Sequence, residues 1–401
     1  MILKKTGILL LILGCCYFVT NGQSTGNLGQ TLTGADKNAS RPILTALPFM
    51  TIAPDSRAGA MGDAGVATSP DINSQHWNAA KYAFIHGEGG VALSYTPWLK
   101  KLVNDINLAY LSGFFRIDDQ QVVSASLRYF SLGDIILRNE FGDYQGNRKP
   151  NEFAIDAGYS RLFSEHFSGA LVFRFIRSDI MGGGASDGTE YNAGISFAAD
   201  ISTYYQKDIK IDDKDAQMAF GLDISNLGNK ISYTTDQEKQ FIPTNLRLGG
   251  RLTMNLDEYN SLGVTVDLNK LLVPTPPMID VDSNGVQVIV KGYDNNVSLT
   301  KGIIRSFYDA PGGFSEELHE ITYSIGTEYW YREQFAIRAG YFNESQSKGN
   351  RKYFTVGFGF KLNVLGLDFA YLIPSSGRNN PLANTMRFSL NFQFDKFRNL
   401  R

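Results

Sequence analysis

Between Val91 and Phe394 the sequence falls into fourteen stretches in which apolar and polar residues alternate, joined by connections that are short and long in turn. Strand side chains point to opposite faces with a period of two, so each stretch offers one apolar and one polar face. Short turns on one rim and long loops on the other are what a transmembrane β-barrel requires. In the last stretch Met386, Phe388, Leu390, Phe392 and Phe394 share one face, and Arg387, Ser389, Asn391 and Gln393 share the other. The first face suits lipid and the second a wet lumen.

The expected strands begin near residues 89, 106, 120, 151, 167, 191, 216, 244, 259, 319, 334, 351, 364 and 384. Each spans about 9 to 13 residues, close to what a tilted strand needs to cross a bilayer. Tyr191, Ala193, Ile195, Phe197, Ala199 and Ile201 alternate with Asn192, Gly194, Ser196, Ala198, Asp200 and Ser202. Leu246, Leu248, Leu252 and Met254 oppose Asn245, Arg247, Arg251 and Thr253, which turns two arginines away from lipid.

The connections after strands 2, 4, 8, 10 and 12 are tight, around Asp118-Asp119, Ser164-Glu165-His166, Asp257-Glu258-Tyr259, Arg332-Glu333 and Asn363. Those after the odd-numbered strands are longer, the ninth running from about Leu271 to Glu320. One connection breaks this parity: Gln206 to Gln217, crowded with acids and lysines, reads as a long loop where a turn is expected. Trp98, Tyr110, Tyr129, Tyr204, Tyr205, Tyr329, Trp330 and Tyr331 lie near strand ends and are candidates for interfacial girdles. A soluble sandwich or propeller also alternates. The strand lengths, the aromatic last strand and the lack of a blade-length repeat argue against both.

Lys4 and Lys5, an apolar run from Gly7 to Val19 and small or polar residues at 20–22 read as a secretory signal peptide over 1–22, with cleavage before Gln23. Residues 23–40, rich in Ser, Thr, Gly and Asn, read as a flexible leader. Beyond the signal no apolar run reaches the ~20 residues of a membrane helix, so spanning falls to strands, which must close into a barrel. Both cysteines, Cys15 and Cys16, lie in the signal, which leaves no thiol chemistry for the rest of the chain. The competing reading is a lipoprotein box at Ile12-Leu13-Gly14-Cys15, although a barrel needs no lipid anchor. The formal charge is −2, and losing the two signal lysines with no acid would make it −4, a balance that suggests no nucleic-acid partner.

Residues 41–86 are compact in texture but not strand-like, and read as a plug or hatch in the barrel's mouth, with Arg57, Asp63, Trp77 and Asn78 as its candidate residues. Residues 87–401 read as the barrel with long extracellular loops. No catalytic residues are assigned. The four histidines, His76, His86, His166 and His319, lack metal-ligand spacing, and no nucleophile elbow or phosphate loop appears. Asp280-Val281-Asp282-Ser283-Asn284-Gly285 resembles the start of a calcium loop, but Lys291 replaces the closing acid, so a plain turn is the better reading and no metal or other cofactor is expected.

The stretch from Ile52 to Asp71, followed by His76-Trp77-Asn78-Ala79-Ala80-Lys81-Tyr82, resembles the N-terminal region of the PorV family of outer-membrane proteins of the type IX secretion system of Bacteroidota. Ser94-Tyr95-Thr96-Pro97-Trp98-Leu99, Asp105 to Tyr110 and Ser126 to Ile135 are similar to the same family. More distantly, the run ending in Trp77-Asn78-Ala79-Ala80 resembles the hatch of FadL-type fatty-acid channels, whose barrels have fourteen strands; Ala79 stands where many of them have proline. The resemblance implies a non-enzymatic outer-membrane carrier. It would bind the C-terminal signal domain of secreted cargo at the translocon barrel and deliver it to a sortase-like attachment complex on the cell surface. The candidate partner contacts are Trp98, Leu99, Phe141, Tyr144, Phe241 and Ile242, expected as exposed apolar anchors in extracellular loops. The alternative is a FadL-like channel for hydrophobic small molecules such as long-chain fatty acids, with the plug as gate and a lateral opening at a kinked strand.

Overall fold

In the computed structural model, residues 40–394 are described except 101–102, 104, 139–140, 181–183, 187–188, 235–238 and 376–381. The expected signal peptide, its cleavage site and residues 23–39 of the leader lie outside them. Fourteen antiparallel strands close into one barrel. They are β1 Gly89–Pro97, β2 Asn107–Arg116, β3 Gln121–Ser131, β4 Asn151–Ser164, β5 Phe167–Asp179, β6 Gly194–Ile211 and β7 Lys214–Gly228. The wall continues with β8 Asn245–Asn255, β9 Asn260–Leu271, β10 Ile321–Tyr331, β11 Phe335–Asn343, β12 Lys352–Leu362, β13 Leu365–Pro374 and β14 Met386–Phe394. Every strand pairs with its sequence neighbour, and the seam closes β1 on β14 from Gly89↔Phe394 to Tyr95↔Phe388. A closed ladder leaves no open edge, as a lipid-facing sheet must.

Alternation sorts the side chains as read. Phe173, Phe197, Phe220, Ile337 and Phe388 are exposed on the outer face, while Arg174, Ser196, Arg247, Arg251 and Arg387 are buried inside. This is a soluble protein turned inside out: apolar groups face the lipid and polar groups fill the interior.

The parity exception dissolves. Lys207–Ile211 and Lys214–Met218 pair in register, and only Asp212-Asp213, both with positive φ, form the turn. Positive φ at both central residues suits a two-residue hairpin turn. The charges that read as a loop belong to strand ends that project past the lipid band, where water solvates them. Eleven strands keep to the expected 9 to 13 residues, and β4, β6 and β7 exceed it, at 14, 18 and 15 residues. In β7, Ser225 and Asn226 together face Asp200 of β6, a bulge at which Asn226 takes positive φ and donates its N–H to Asp200 Oδ1 at 2.7 Å.

The girdle assignment needs a correction. Tyr129 and Tyr331 are exposed, but Tyr110 and Tyr204 are buried, and Trp330 faces inward, where the Arg338 guanidinium sits 5.4 Å from its ring centroid. An aromatic near a strand end is directed by its register, not by its type.

Candidate functional site: the lumen and the long-connection rim

Residues 40–88 run from the long-connection rim, through the lumen, to the short-connection end. At the start Arg41 N–H bonds Ser347 O, and Ala46 N–H bonds Phe241 O, both in long connections. At the finish Arg116 of β2 bonds Ile85 O and Gly87 O, and β1 begins at Gly89. In between, the segment is short helical turns bonded partly within themselves, as Gly59 N–H to Asp55 O and Tyr82 Oη to Ile72 O, and the remaining polar groups are satisfied by the wall.

The four residues expected in this segment are all inside. Arg57 bonds Glu328 of β10 through two contacts of 2.9 Å, and also Asp71 Oδ2 (2.9 Å) and Ser69 Oγ (2.6 Å). Asp63 accepts from Arg387 of β14 at 2.8 Å and Tyr353 of β12 at 2.6 Å. Trp77 donates its indole N–H to Asp55 at 2.6 Å and lies under the Arg247 guanidinium. Asn78 donates to Val66 O and Thr203 O and accepts from Ala80 N–H. An asparagine tying two backbone stretches and capping a third is suited to a segment that lacks secondary structure of its own.

The wall residues that hold this segment were not singled out from the sequence. Glu328, fully buried, serves Arg57, Arg251 and Arg338 at once. Asp267 of β9 accepts from the N–H groups of both Gly65 and Val66, at 2.6 and 2.9 Å. Arg174 of β5, clamped between Asp156 and Asp200, instead ties strand to strand within the wall. The available signal was position: each is a charged residue on the inward face in the middle of a strand, where a wide aqueous lumen would demand no such pairing. Contact with the wall is close enough to exclude side chains, since a Cβ on Gly340 would lie 2.1 Å from the Met61 carbonyl carbon.

The partner candidates divide. Phe141 (82% exposed) and Tyr144 (60%) are exposed in the connection after β3. Trp98 is half-buried against the cluster of Leu47, Phe49, Phe130 and Ile242, and Leu99 is half-buried in a turn with positive φ. The expected exposure of Phe241 and Ile242 is overturned. Both are buried because the N-terminal segment bonds to the Phe241 backbone, the helix Leu299–Arg305 packs at Gly302 against its ring, and Lys230 covers it at 4.1 Å.

The ninth connection supplies apolar surface instead. Its hairpin, Met278–Val281 paired with Gln287–Lys291, exposes Ile279, Val281, Val288, Ile289 and Val290; the helices Leu299–Arg305 and Phe314–His319 expose Ile304 and Phe314, and the turn between them exposes Phe307. The calcium-like stretch forms the hairpin's turn, where Asp282 Oδ1 accepts from Asn284 and Val286 N–H. A clamp fixes the base of this connection to the rim. Glu316 receives Arg41 and Lys348; Glu320 receives Lys348 and Lys270; Glu317 receives Lys270 and Ala310 N–H. Burial opposes ionisation of Glu316, but its hydrogen bonds from Arg41 and Lys348 prevail and hold its carboxyl down at about 2. Burial pushes Asp309 up to about 6, helped by Glu317 and Glu320 and opposed by the Thr275 N–H and Lys270.

Among solved structures the chain is similar to the Pseudomonas putida toluene transporter TodX (11% identity, 84% of this chain and 96% of that chain, TM-score 0.45). It is also similar to the CymD monoaromatic hydrocarbon channel (10%, 88% and 100%, 0.47) and to a Pseudomonas aeruginosa FadL homologue (11%, 89% and 100%, 0.42). No curated protein matches by sequence. The family model described as type IX secretion system protein PorV matches residues 35–278, more than half the chain. With a closed fourteen-stranded barrel and this match together, the chain belongs to the PorV family of outer-membrane proteins of the type IX secretion system.

Proposed function

We propose that this barrel is a non-enzymatic carrier that binds the C-terminal signal domain of secreted cargo at the translocon and passes it to a sortase-like attachment complex. In this reading the long connections face the cell exterior and residues 41–86 act as a plug. The observation that carries it is the hairpin at 278–291, a two-stranded sheet with apolar side chains on view and, among the described residues, no strand paired to either edge. Such an edge accepts an added strand through backbone bonds, and exposed β-branched side chains give it selectivity. The plug role is supported by the wall contacts of Arg57, Asp63 and Asn78, which leave the carrier's lumen filled.

The test is deletion of residues 278–291 in the full chain. Cargo should then fail to reach the surface while the barrel still assembles, and cargo or translocon should no longer copurify with it. Normal cargo attachment after the deletion would remove the hairpin from the model. Loss of fatty-acid uptake, with secretion intact, would place the protein with the channels.

A further inference from the structure

At the short-connection end, beyond residues 69–73 of the N-terminal segment, lies a cavity of about 380 Å³. It is walled by the ends of β7 to β14, away from the clamp and the hairpin. Two features of its lining are unusual together. The first is a spare cationic donor. Arg251 lines the cavity and is 94% buried (6% exposed); its Nε donates to Thr253 Oγ1 and its Nη2 to Glu328, but Nη1 has no acceptor among the described residues. A buried guanidinium N–H left without an acceptor costs more than an ordinary hydrogen bond contributes. Nearby carboxylates are already engaged: Glu328 by three arginines, Asp71 by Arg57, and Asp368 by Arg338 and Asn391. At the mouth Lys361 adds a further positive charge, opposed by Glu333.

The second feature is a ring of carboxamides. Asn73, Gln217, Asn255, Asn363, Asn391 and Gln393 all line the same cavity. Asn73 and Asn391 are bonded to each other and to Ser112 and Asp368, and Gln217 and Gln393 each donate elsewhere, to Asp208 and to His86 O, so the amides offered to a ligand are those of Asn255 and Asn363 with the carbonyl oxygens of Gln217 and Gln393. A carboxamide offers a donor and an acceptor side by side, as a peptide group does, so such a ring suits a ligand made of amides better than an alkyl chain.

We propose that this cavity is a binding site for the free C-terminal end of a short peptide or unstructured chain, its carboxylate taken by Arg251 and its last peptide groups by the carboxamides. Charge-assisted bonds from a guanidinium to a carboxylate supply the anchor. The site is separate from the cargo surface proposed above and stands or falls without it.

The experiment is equilibrium binding to the full barrel in lipid nanodiscs, with four probes: an uncharged-side-chain tripeptide with a free carboxylate, the same tripeptide amidated, inorganic phosphate, and decanoate. The free acid should bind saturably and the amide roughly tenfold more weakly or worse, the equivalent of one charge-assisted bond. Equal binding of acid and amide, no saturable binding of the acid, or tighter binding of phosphate or decanoate would each overturn the proposal. Two variants locate the site. Arg251→Lys removes the spare donor, and Ser261→Trp fills the cavity from an inward position of β9 without touching an arginine. Both should lose tripeptide binding while the barrel keeps its heat-modifiable mobility on gels. A folded variant of either kind that binds as the parent does would overturn the assignment.

Discussion

Arg57 and Glu328 meet through two parallel hydrogen bonds, Nε to Oε1 and Nη2 to Oε2, each 2.9 Å long and buried, across 271 residues of sequence. The fork of a guanidinium matches a carboxylate in this way, and the pairing is directional as well as strong. It ties a segment with little secondary structure to the middle of a rigid strand.

Glu328→Gln leaves Arg57, Arg251 and Arg338 without the charge that balances them. Breaking a buried pair by removing one partner costs about 3–5 kcal/mol. The expected outcome is a segment 40–88 open to protease in a barrel whose strands stay paired, and a rise in single-channel current across planar bilayers. An unchanged digest and a silent bilayer would contradict it.

Gly340→Val should act on the same contact sterically. Even a Cβ there would lie 2.1 Å from Met61, and Gly62 on the facing turn has φ of 71° and meets the Tyr341 backbone. Overpacking of this kind costs about 1–3 kcal/mol where neighbours can shift, and more where only backbone is available to move. The urea midpoint of the refolded barrel should fall, and protection of the amides at 58–66 in hydrogen exchange should fall further than that of the strands.

The rim clamp should depend on pH in two windows. The depressed Glu316 contributes stability that is present above its ordinary value of 4.5 and is lost as pH falls toward about 2. The raised Asp309 contributes stability that is complete below 3.8 and is lost as pH rises through about 6. Proteolysis of the connection 272–320 should therefore be slowest in mildly acid buffer and faster at pH 8. Asp309→Asn, which keeps an acceptor for Thr275 N–H, should flatten the upper window; a parent-like pH profile in that variant would assign the effect elsewhere.

Val281→Asp or Val290→Asp places a charge on the hairpin's exposed surface. Since both side chains are 58% exposed, stability should change by no more than about 0.5 kcal/mol. Surface attachment of cargo, assayed by immunoblot of whole cells, should drop. Equal attachment would show that the partner does not touch these side chains.

The barrel was legible because its signal repeats: period-two alternation in fourteen stretches averages out local ambiguity, and strand starts from residue 89 to residue 384 fall within three residues of those observed, β6 and β14 included. The exception at 206–217 misled because charge was taken as a sign of loop, whereas Lys207, Lys210 and Asp215 occupy strand positions beyond the lipid. The site was less legible. Arg57 and Asp63 stood out as charges in a small-residue run, but their partners Glu328 and Arg387 lie 271 and 324 positions away, and no local pattern encodes a pairing at that range. Phe241 and Ile242 were misread because a sequence tells that a residue is in a loop, not what folds over it.

The entry of residue 41 at one rim and the exit of residue 88 at the other make the wall a ring closed around a segment of its own chain. Strand β1 follows directly, and it is β1 that zips to β14 at the seam. A ladder closed in this way leaves no gap by which the segment could move out sideways, so its path into or out of the lumen is lengthwise, through a rim. The wall thus confines the segment by topology as well as by its bonds: a thread in a fastened hoop can slip only along its own length.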